Sequence, residues 1–412
     1  MKQLLIIALR NLSRYRRRTL LTGSLVAIGV LFVLVFEAAA GSFKAMMIGQ
    51  ITDSMLGHLQ IHRKGYVASI ETLPLAMNLK PQAIQKIEAE LGKSDAVEAF
   101  SPRIKFGGVF STFTESTSVR VNGVDPDREF ATAPMLKGRV VQGKPEIRPG
   151  IMLVPELLAR GMQVKPGDTV VLLATNAEGS VNGKQVQVGG ILASVSGPGG
   201  RDAYVHQSDA AEILRLDQPE VSEIAVRLKD FGSLKATYAA LSTSLGGMRN
   251  KQGKPSFEVH TWESLAPFSN VANMIDILTI FIRLILVSIV LVSVMNVMIM
   301  AVYERVREIG TMAAIGTLPA TIRSMFLLEG LILGALGTLL GTVVGLGLIG
   351  ALRIAKLTFD FGQQRGLVLA PSVGIGQVLA LAVIVVAISA IASLQPAIKA
   401  SRLEPIEALR HN

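Results

Sequence analysis

The 412-residue sequence contains no cysteine. That absence excludes a disulfide framework, a thiolate zinc site, an iron–sulfur cluster and a cysteine nucleophile. Charge is also sparse. Asp, Glu, Lys and Arg make up 17% of the residues, against about 25% in soluble globular proteins. There is one Trp and there are five Tyr, and no aromatic–basic interleaving of the kind that stacks nucleic-acid bases. No G-x-S-x-G elbow and no H-E-x-x-H pair occurs. Gly92-Lys93-Ser94 imitates the end of a phosphate-binding loop, but Ile87 stands where that loop needs its first glycine. What is present is apolar residue, at 50%, and a net charge of +10. A basic excess fits either nucleic acid or the cytosolic flank of a membrane protein.

The apolar residues are gathered into four charge-free runs. Thr19 to Phe36 is 18 residues, Leu284 to Val302 is 19, Gly330 to Leu352 is 23 and Leu367 to Ile398 is 32. A helix needs roughly 20 apolar residues to span a bilayer, so four transmembrane helices are expected. Ala38-Ala39-Ala40 imitates a signal-peptidase site. The run before it exceeds the roughly 7–15 apolar residues of a signal peptide, so an uncleaved anchor is expected. Lys2, Arg10, Arg14, Arg16, Arg17, Arg18, Arg305, Arg307, Arg323, Lys399, Arg402 and Arg410 flank one side; Arg353, Lys356 and Arg365 lie in the short loop on the other. Positive residues mark the cytosolic face. Both termini are therefore expected in the cytosol, and residues 42–270 outside it. The basic charge is thus a topology signal rather than a nucleic-acid site. Glu37, Arg283 and Glu329 border the spans, with Arg283 placed to snorkel to the headgroups. No ionisable residue sits in the middle of a span, which argues against a proton-coupled carrier. Gly337, Gly341 and Gly345 line one face of the third span, where small residues let another helix approach.

The long segment after the first span reads as α+β. His58 to His62 alternates as a strand, with both histidines and Gln60 on a face expected to be solvated. Pro81 to Leu91 patterns as a helix stopped by Gly92. Thr117 to Val124, Gly150 to Val154, Asp168 to Leu173 and Val221 to Leu228 are expected strands. Pro155 to Arg160 and Gly232 to Leu245 are expected helices. Asn182-Gly183 is a hairpin signal before Val186 and Val188. Asp209 to Arg215 fits a helix with Asp209 as its cap. Ser194 to Gly200 is expected to be a loop.

The most specific stretch follows the second span: Tyr303-Glu304-Arg305-Val306-Arg307-Glu308-Ile309-Gly310-Thr311-Met312-Ala313-Ala314-Ile315-Gly316. Alternating charges followed by an apolar run fit a short amphipathic helix at the inner membrane surface, though on the residues alone a simple stop-transfer cluster is the better reading. E-R-x-R-E-I-G followed by A-x-G, directly after a span, resembles the cytosolic signature of FtsX/MacB-type ABC transporter permeases. Ala8-Leu9-Arg10-Asn11-Leu12 with Arg17, Arg18 and Thr19 resembles the family's N-terminal amphipathic helix. Phe326-Leu327-Leu328-Glu329-Gly330 resembles the start of its third span. Pro396-Ala397, Ala400-Ser401-Arg402 and Pro405 to Arg410 resemble its tail. Val121 to Pro126 and Val164 to Val170 resemble its periplasmic core. MacB carries a fused ATPase ahead of the membrane; this chain starts at the membrane. Its layout, with Gly57 to His62 and Tyr66 soon after the first span, resembles the lipoprotein-releasing permeases LolC and LolE.

The resemblance implies a multi-pass α-helical membrane protein with a large α+β extracytoplasmic domain between helices one and two, in the bacterial inner membrane. Residues 1–41 would form the N-terminal segment and first span, 42–270 the periplasmic core, and 271–412 the permease domain with its coupling loop at 303–320. The implied partners are a cytosolic ABC ATPase dimer, a second permease subunit (a copy or a paralogue), the lipid bilayer and a periplasmic acceptor protein. ATP and Mg would be bound by the ATPase and no cofactor or metal by this chain. Glu304, Arg305, Arg307, Glu308, Ile309, Gly310, Ala314 and Gly316 would dock on the ATPase, whose hydrolysis would drive the outer domain. Lipoproteins or other amphiphiles are the implied substrates. The alternative is a signalling subunit that regulates a periplasmic partner such as a cell-wall hydrolase. No acid–base or metal cluster supports a membrane enzyme.

Overall fold

The structure, a computed structural model, describes residues 2–194, 201–249, 253–265, 268–361 and 364–403. All but Ser194 of the predicted loop Ser194 to Gly200, and the tail motif from Pro405 to Arg410, lie outside the described residues. The chain divides into a membrane unit, Met1–Lys44 with Met274–Phe359 and Val368–Asn412, and an inserted unit, Ala45–Asn273 with Asp360–Leu367.

In chain order, α1 (Lys2–Arg14) is followed by α2 (Arg16–Ile51). Then come β1 (Leu59–Arg63), α3 (Pro81–Gly92), β2 (Val97–Ser111), β3 (Ser116–Val124), α4 (Pro126–Thr132), β4 (Val140–Gly143), β5 (Ile151–Pro155) and α5 (Glu156–Gly161). These lead to β6 (Thr169–Thr175), β7 (Val181–Leu192), β8 (Ala203–His206), α6 (Gln207–Leu214), β9 (Glu223–Leu228), α7 (Leu234–Gly246) and β10 (Phe257–Thr261). The chain continues through α8 (Phe268–Glu304), α9 (Val306–Ala314), α10 (Pro319–Ala355), the hairpin strands β11 (Thr358–Phe361) and β12 (Gln364–Val368), and α11 (Ile375–Ser401).

Among the described residues, four helical stretches are long and apolar enough to cross a bilayer: Thr19–Leu56, Asn273–Glu304, Pro319–Ala355 and Ile375–Ser401. The fourth is shorter than its charge-free run, because Leu367 and Val368 end β12 and helix begins only at Ile375. Pro371 disfavours helical backbone in the residue before it, and Gln377 Oε1 accepts from Gly374 N–H at 2.9 Å at the true start. Val26, Val30, Leu34, Val290, Val294, Phe326, Leu333 and Val385 form the interior of this unit. Leu339, Leu340, Val343 and Val344 of α10 and Ile277, Phe281 and Leu284 of α8 are exposed, as suits helices solvated by hydrocarbon. Arg283 does not need to snorkel. It pairs with Glu37, and Lys44 Nζ lies 2.6 Å from Asp276 Oδ2, so two ion pairs join α2 to α8.

The inserted unit is α+β. Its longest strand, β2, changes partners along its length within one ten-stranded sheet. Residues 97–103 pair with β9, which pairs with β1, which pairs with β10, all antiparallel. Farther along, β2 pairs with β3 and β6. From β3 the ladder passes to β8, β5, β7 and back through β6 to β2, closing a six-stranded ring. Phe106, Phe110, Val121, Val154, Leu172 and Val186 are buried in its core.

Three sequence expectations need correction here. Period-2 alternation does place His58, Gln60 and His62 on one face, but that face is buried, not solvated: they are 4%, 1% and 0% exposed. A turn at Thr52–Leu56 covers it, with Gln60 Nε2 donating to Leu56 O at 2.9 Å. Tyr66 stacks on His62 with centroids 5.1 Å apart. Asn182-Gly183 lies inside β7; the hairpin turns at Asn176–Ser180 instead, where Asn176 Oδ1 accepts from Glu178 N–H and Ser180 N–H. Asp209 is not a cap. It sits in the first turn of α6, fully buried, accepting from Gly150 N–H at 2.8 Å, while His206 caps the helix.

Candidate coupling site

The second span ends at Glu304 because Arg305 leaves helical geometry, at φ −114° and ψ 17°. Its N–H reaches back three residues, to Val302 O at 3.2 Å. The next helix, α9, starts at once and carries an apolar face of Val306, Ile309 and Gly310, all buried. It ends at Ala314, two residues before Gly316, whose φ of +92° lies in the left-handed region that side chains disfavour.

The Arg305 side chain turns inward and is 3% exposed. Its Nη1 donates to Glu329 Oε1 on α10 at 2.9 Å, and its Nε donates to Glu308 Oε2 on α9 at 2.9 Å. The same Glu329 oxygen accepts from Asn11 Nδ2 on α1 at 2.8 Å. Glu308 Oε1 accepts from the Tyr15 hydroxyl at 3.4 Å and lies 3.7 Å from Arg14 Nη1. The guanidinium sits over the Tyr15 ring at 5.8 Å and the Phe326 ring at 5.6 Å, within the range of cation–π attraction. Burial opposes its charge, but Glu329 and Glu308 outweigh burial and hold it above its usual range.

The eight predicted coupling residues therefore fall on two sides. Arg305, Ile309 and Gly310 face the membrane unit, where Arg305 is committed to carboxylates of its own chain and not open to another protein. Glu308 is half-buried between the sides. Glu304, Arg307, Ala314 and Gly316 are exposed, and Glu304 and Arg307 also keep contacts within the chain. The sequence reading missed three exposed apolar residues beside them: Tyr303, Ile315 and Leu318. For Ile315 and Leu318 a signal was available, since large apolar residues flanking a helix-ending glycine have no helix face to hide on. It also missed Asn11 and Tyr15 as partners.

Gly337, Gly341 and Gly345 of α10 meet α2. A Cβ on Gly337 would lie 2.7 Å from Val26 Cβ, one on Gly341 2.8 Å from Val30 Cβ, and one on Gly345 3.3 Å from Leu34 Cδ1. Gly330 and Gly334, on the neighbouring face, abut Ser393 and Ser389 of α11. In the inserted unit, an open groove of about 970 Å³ is walled by Val109, Leu157, Leu158, Met162 and Val181, with Arg120 at its side. Among the described residues no three His, Asp or Glu side chains gather to hold a metal.

Four long apolar helices, a ring-shaped α+β insertion after the first and an E-R-x-R-E-I-G helix after the second define a class, the ABC transporter permease. A profile of the MacB-like periplasmic core domain matches residues 19–244, and one of the FtsX-like permease C-terminal matches residues 280–405. The first covers more than half of the chain, and the chain belongs to the FtsX/MacB family of ABC transporter permeases, whose permease portion is a non-catalytic membrane part. It is 25% identical over 310 residues to the lipoprotein-releasing system transmembrane protein LolC of Xylella fastidiosa, covering 71% of this chain and 72% of LolC. It is 28% identical over 200 residues to the macrolide export ATP-binding/permease protein MacB of Nitrobacter winogradskyi, covering 46% of this chain but only 27% of MacB. Among solved structures, the periplasmic region of MacB from Actinobacillus actinomycetemcomitans aligns with 51% of this chain and 92% of its own, at 14% identity and a TM-score of 0.35.

Proposed function

We propose that this permease couples ATP hydrolysis on a separate ABC ATPase to motion of its inserted domain, and thereby extracts lipoproteins or other amphiphiles from the outer leaflet of the bacterial inner membrane. The observation that carries this reading is the two-sided geometry of α9. One side is bound into the membrane unit through Ile309, Gly310 and Arg305; the other exposes Arg307, Ala314 and Ile315. A helix seated in this way passes a push on its outer side to the spans. The distribution of Lys and Arg supports an arrangement with both termini cytosolic and the inserted domain periplasmic. A second permease subunit would complete the pair that an ATPase dimer requires. The naming of the LolC relative, and an apolar-walled groove in the inserted unit, support a substrate with an apolar portion.

The test is co-purification. Arg307→Glu combined with Ile315→Asp reverses one charge and adds another on the exposed side only. The expected result is loss of the ATPase from the purified complex, with membrane insertion retained. Undiminished co-purification would remove the docking role of α9.

A further inference from the structure

The break between α8 and α9 does not stand alone. The junction between α1 and α2, at Tyr15, lies directly against it. Arg305, the residue of the first break, places its guanidinium 5.8 Å from the centre of the Tyr15 ring. Both residues reach the same carboxylate: Glu308 takes Arg305 Nε on one oxygen and the Tyr15 hydroxyl on the other. A second carboxylate repeats the arrangement, since one oxygen of Glu329 accepts from both Arg305 and Asn11. The two junctions are unequal in stiffness. At Tyr15 the helical ladder continues, through Tyr15 N–H to Asn11 O at 3.1 Å and Thr19 N–H to Tyr15 O at 3.0 Å. At Arg305 the ladder is distorted: its own N–H reaches back only three residues, to Val302 O at 3.2 Å, with φ at −114°, while Ile309 N–H still reaches Arg305 O at 3.0 Å.

We infer that Arg305, Glu308, Glu329, Asn11 and Tyr15 form a shared hinge clamp that makes α9 and the α1–α2 junction turn as one body against α8. A push on α9 would then reach α2 as well as α8, the two helices that flank the inserted domain in sequence. Glu308 and Glu329 act here as positioning residues: they carry no chemistry but fix which helices move together. The inference rests on the coupling reading above and specifies how motion divides once α9 is driven. Buried charge pairs of this kind favour discrete arrangements over gradual sliding, because a guanidinium pulled away from its carboxylates is left unpaired in a low dielectric.

The lack of native cysteine makes the test direct. Spin labels are placed through Thr311→Cys on α9 paired with Ser13→Cys on α1, and separately through Thr311→Cys paired with Ser288→Cys on α8, all exposed positions. Distances are measured in the full complex with its ATPase in lipid, without nucleotide and with ATP and vanadate. The expected result is a shift of about 2 Å or more between Thr311 and Ser288, with no shift between Thr311 and Ser13. Tyr15→Leu should free the second distance so that it also shifts, while the ATPase remains bound. If the distance from Thr311 to Ser13 shifts in the parent, or neither distance shifts, or Tyr15→Leu changes nothing, the clamp is refuted. Absence of any co-purifying ATPase would instead refute the coupling reading.

Discussion

Removing Arg103 from the inserted unit tests whether its buried charges hold that unit together. Arg103 is 3% exposed, and both of its partners, Glu129 and Glu223, are fully buried. It donates Nε and Nη2 to the two oxygens of Glu129 at 2.9 and 2.8 Å, and Nη1 to Glu223 at 3.1 Å. Lys105 Nζ lies 3.3 Å from the other Glu223 oxygen, so two cations face two anions. Arg103→Ala leaves Glu129 buried and unpaired and unbalances the group. Breaking a buried pair from one side costs about 3–5 kcal/mol. With an unfolding entropy of about 2.1 cal/mol/K per residue, a unit of about 230 residues loses roughly 0.5 kcal/mol per degree, so the midpoint should fall by about 6–10 °C. Trp262 is the sole tryptophan, 2% exposed, and sits in this unit's core. Its fluorescence during heating of the full-length protein in detergent therefore reports this transition. A fall of under about 2 °C would refute the reasoning. Acid should act on the same group. Burial by itself would raise the Glu223 carboxyl, but Lys105, His62 and Arg103 outweigh it and hold it well below the usual range. Stability from a depressed carboxylate is present above its unfolded value of about 4.5 and is lost as pH falls below that. The parent midpoint should drop between about pH 5 and pH 3, and Lys105→Met should flatten that slope.

Three further outcomes are expected. Gly341→Ala should destabilise the membrane unit by about 1–3 kcal/mol, seen as earlier thermal aggregation in detergent, because the added carbon meets Val30 and Ala27 of α2; Gly345→Ala, with only Leu34 Cδ1 in tight contact, should cost visibly less. Gly57→Ala should lower the Trp262 transition by about 1–3 kcal/mol equivalent, since Gly57 has φ +73° and its Cβ would lie 3.0 Å from Val226 O; an unchanged transition would show that the bend into β1 tolerates a side chain. Lys86→Cys should react with an impermeant maleimide in intact spheroplasts, and Ser13→Cys only after permeabilisation; the reverse pattern would overturn the proposed orientation.

Much of the architecture was legible because it depends on composition and period. Charge-free runs longer than a bilayer's thickness mark spans wherever they fall, and alternation or helical spacing marks the elements between them. The failures share one cause. Asn182-Gly183 has turn chemistry, but the pairing of β6 with β7 runs through it, and Asn176 supplies the turn. His58 and His62 share a polar face as their period requires, yet the turn at Thr52–Leu56 and Tyr66 close over that face.

The sequence by itself determined that this chain has four spans, a large α+β insertion after the first, and after the second a charged stretch that fits either a helix or a stop-transfer cluster. Only the tertiary structure decided which way that helix faces. The resemblance implied that Arg305, like Glu304 and Arg307, would dock on the ATPase. In the fold Arg305 is enclosed by Glu308 of α9, Glu329 and Phe326 of α10, and Tyr15 at the α1–α2 junction. Local sequence sets which residues lie on one face. Whether a charge on that face meets water, a partner or a carboxylate on another helix depends on what packs over it, and no local pattern encodes that.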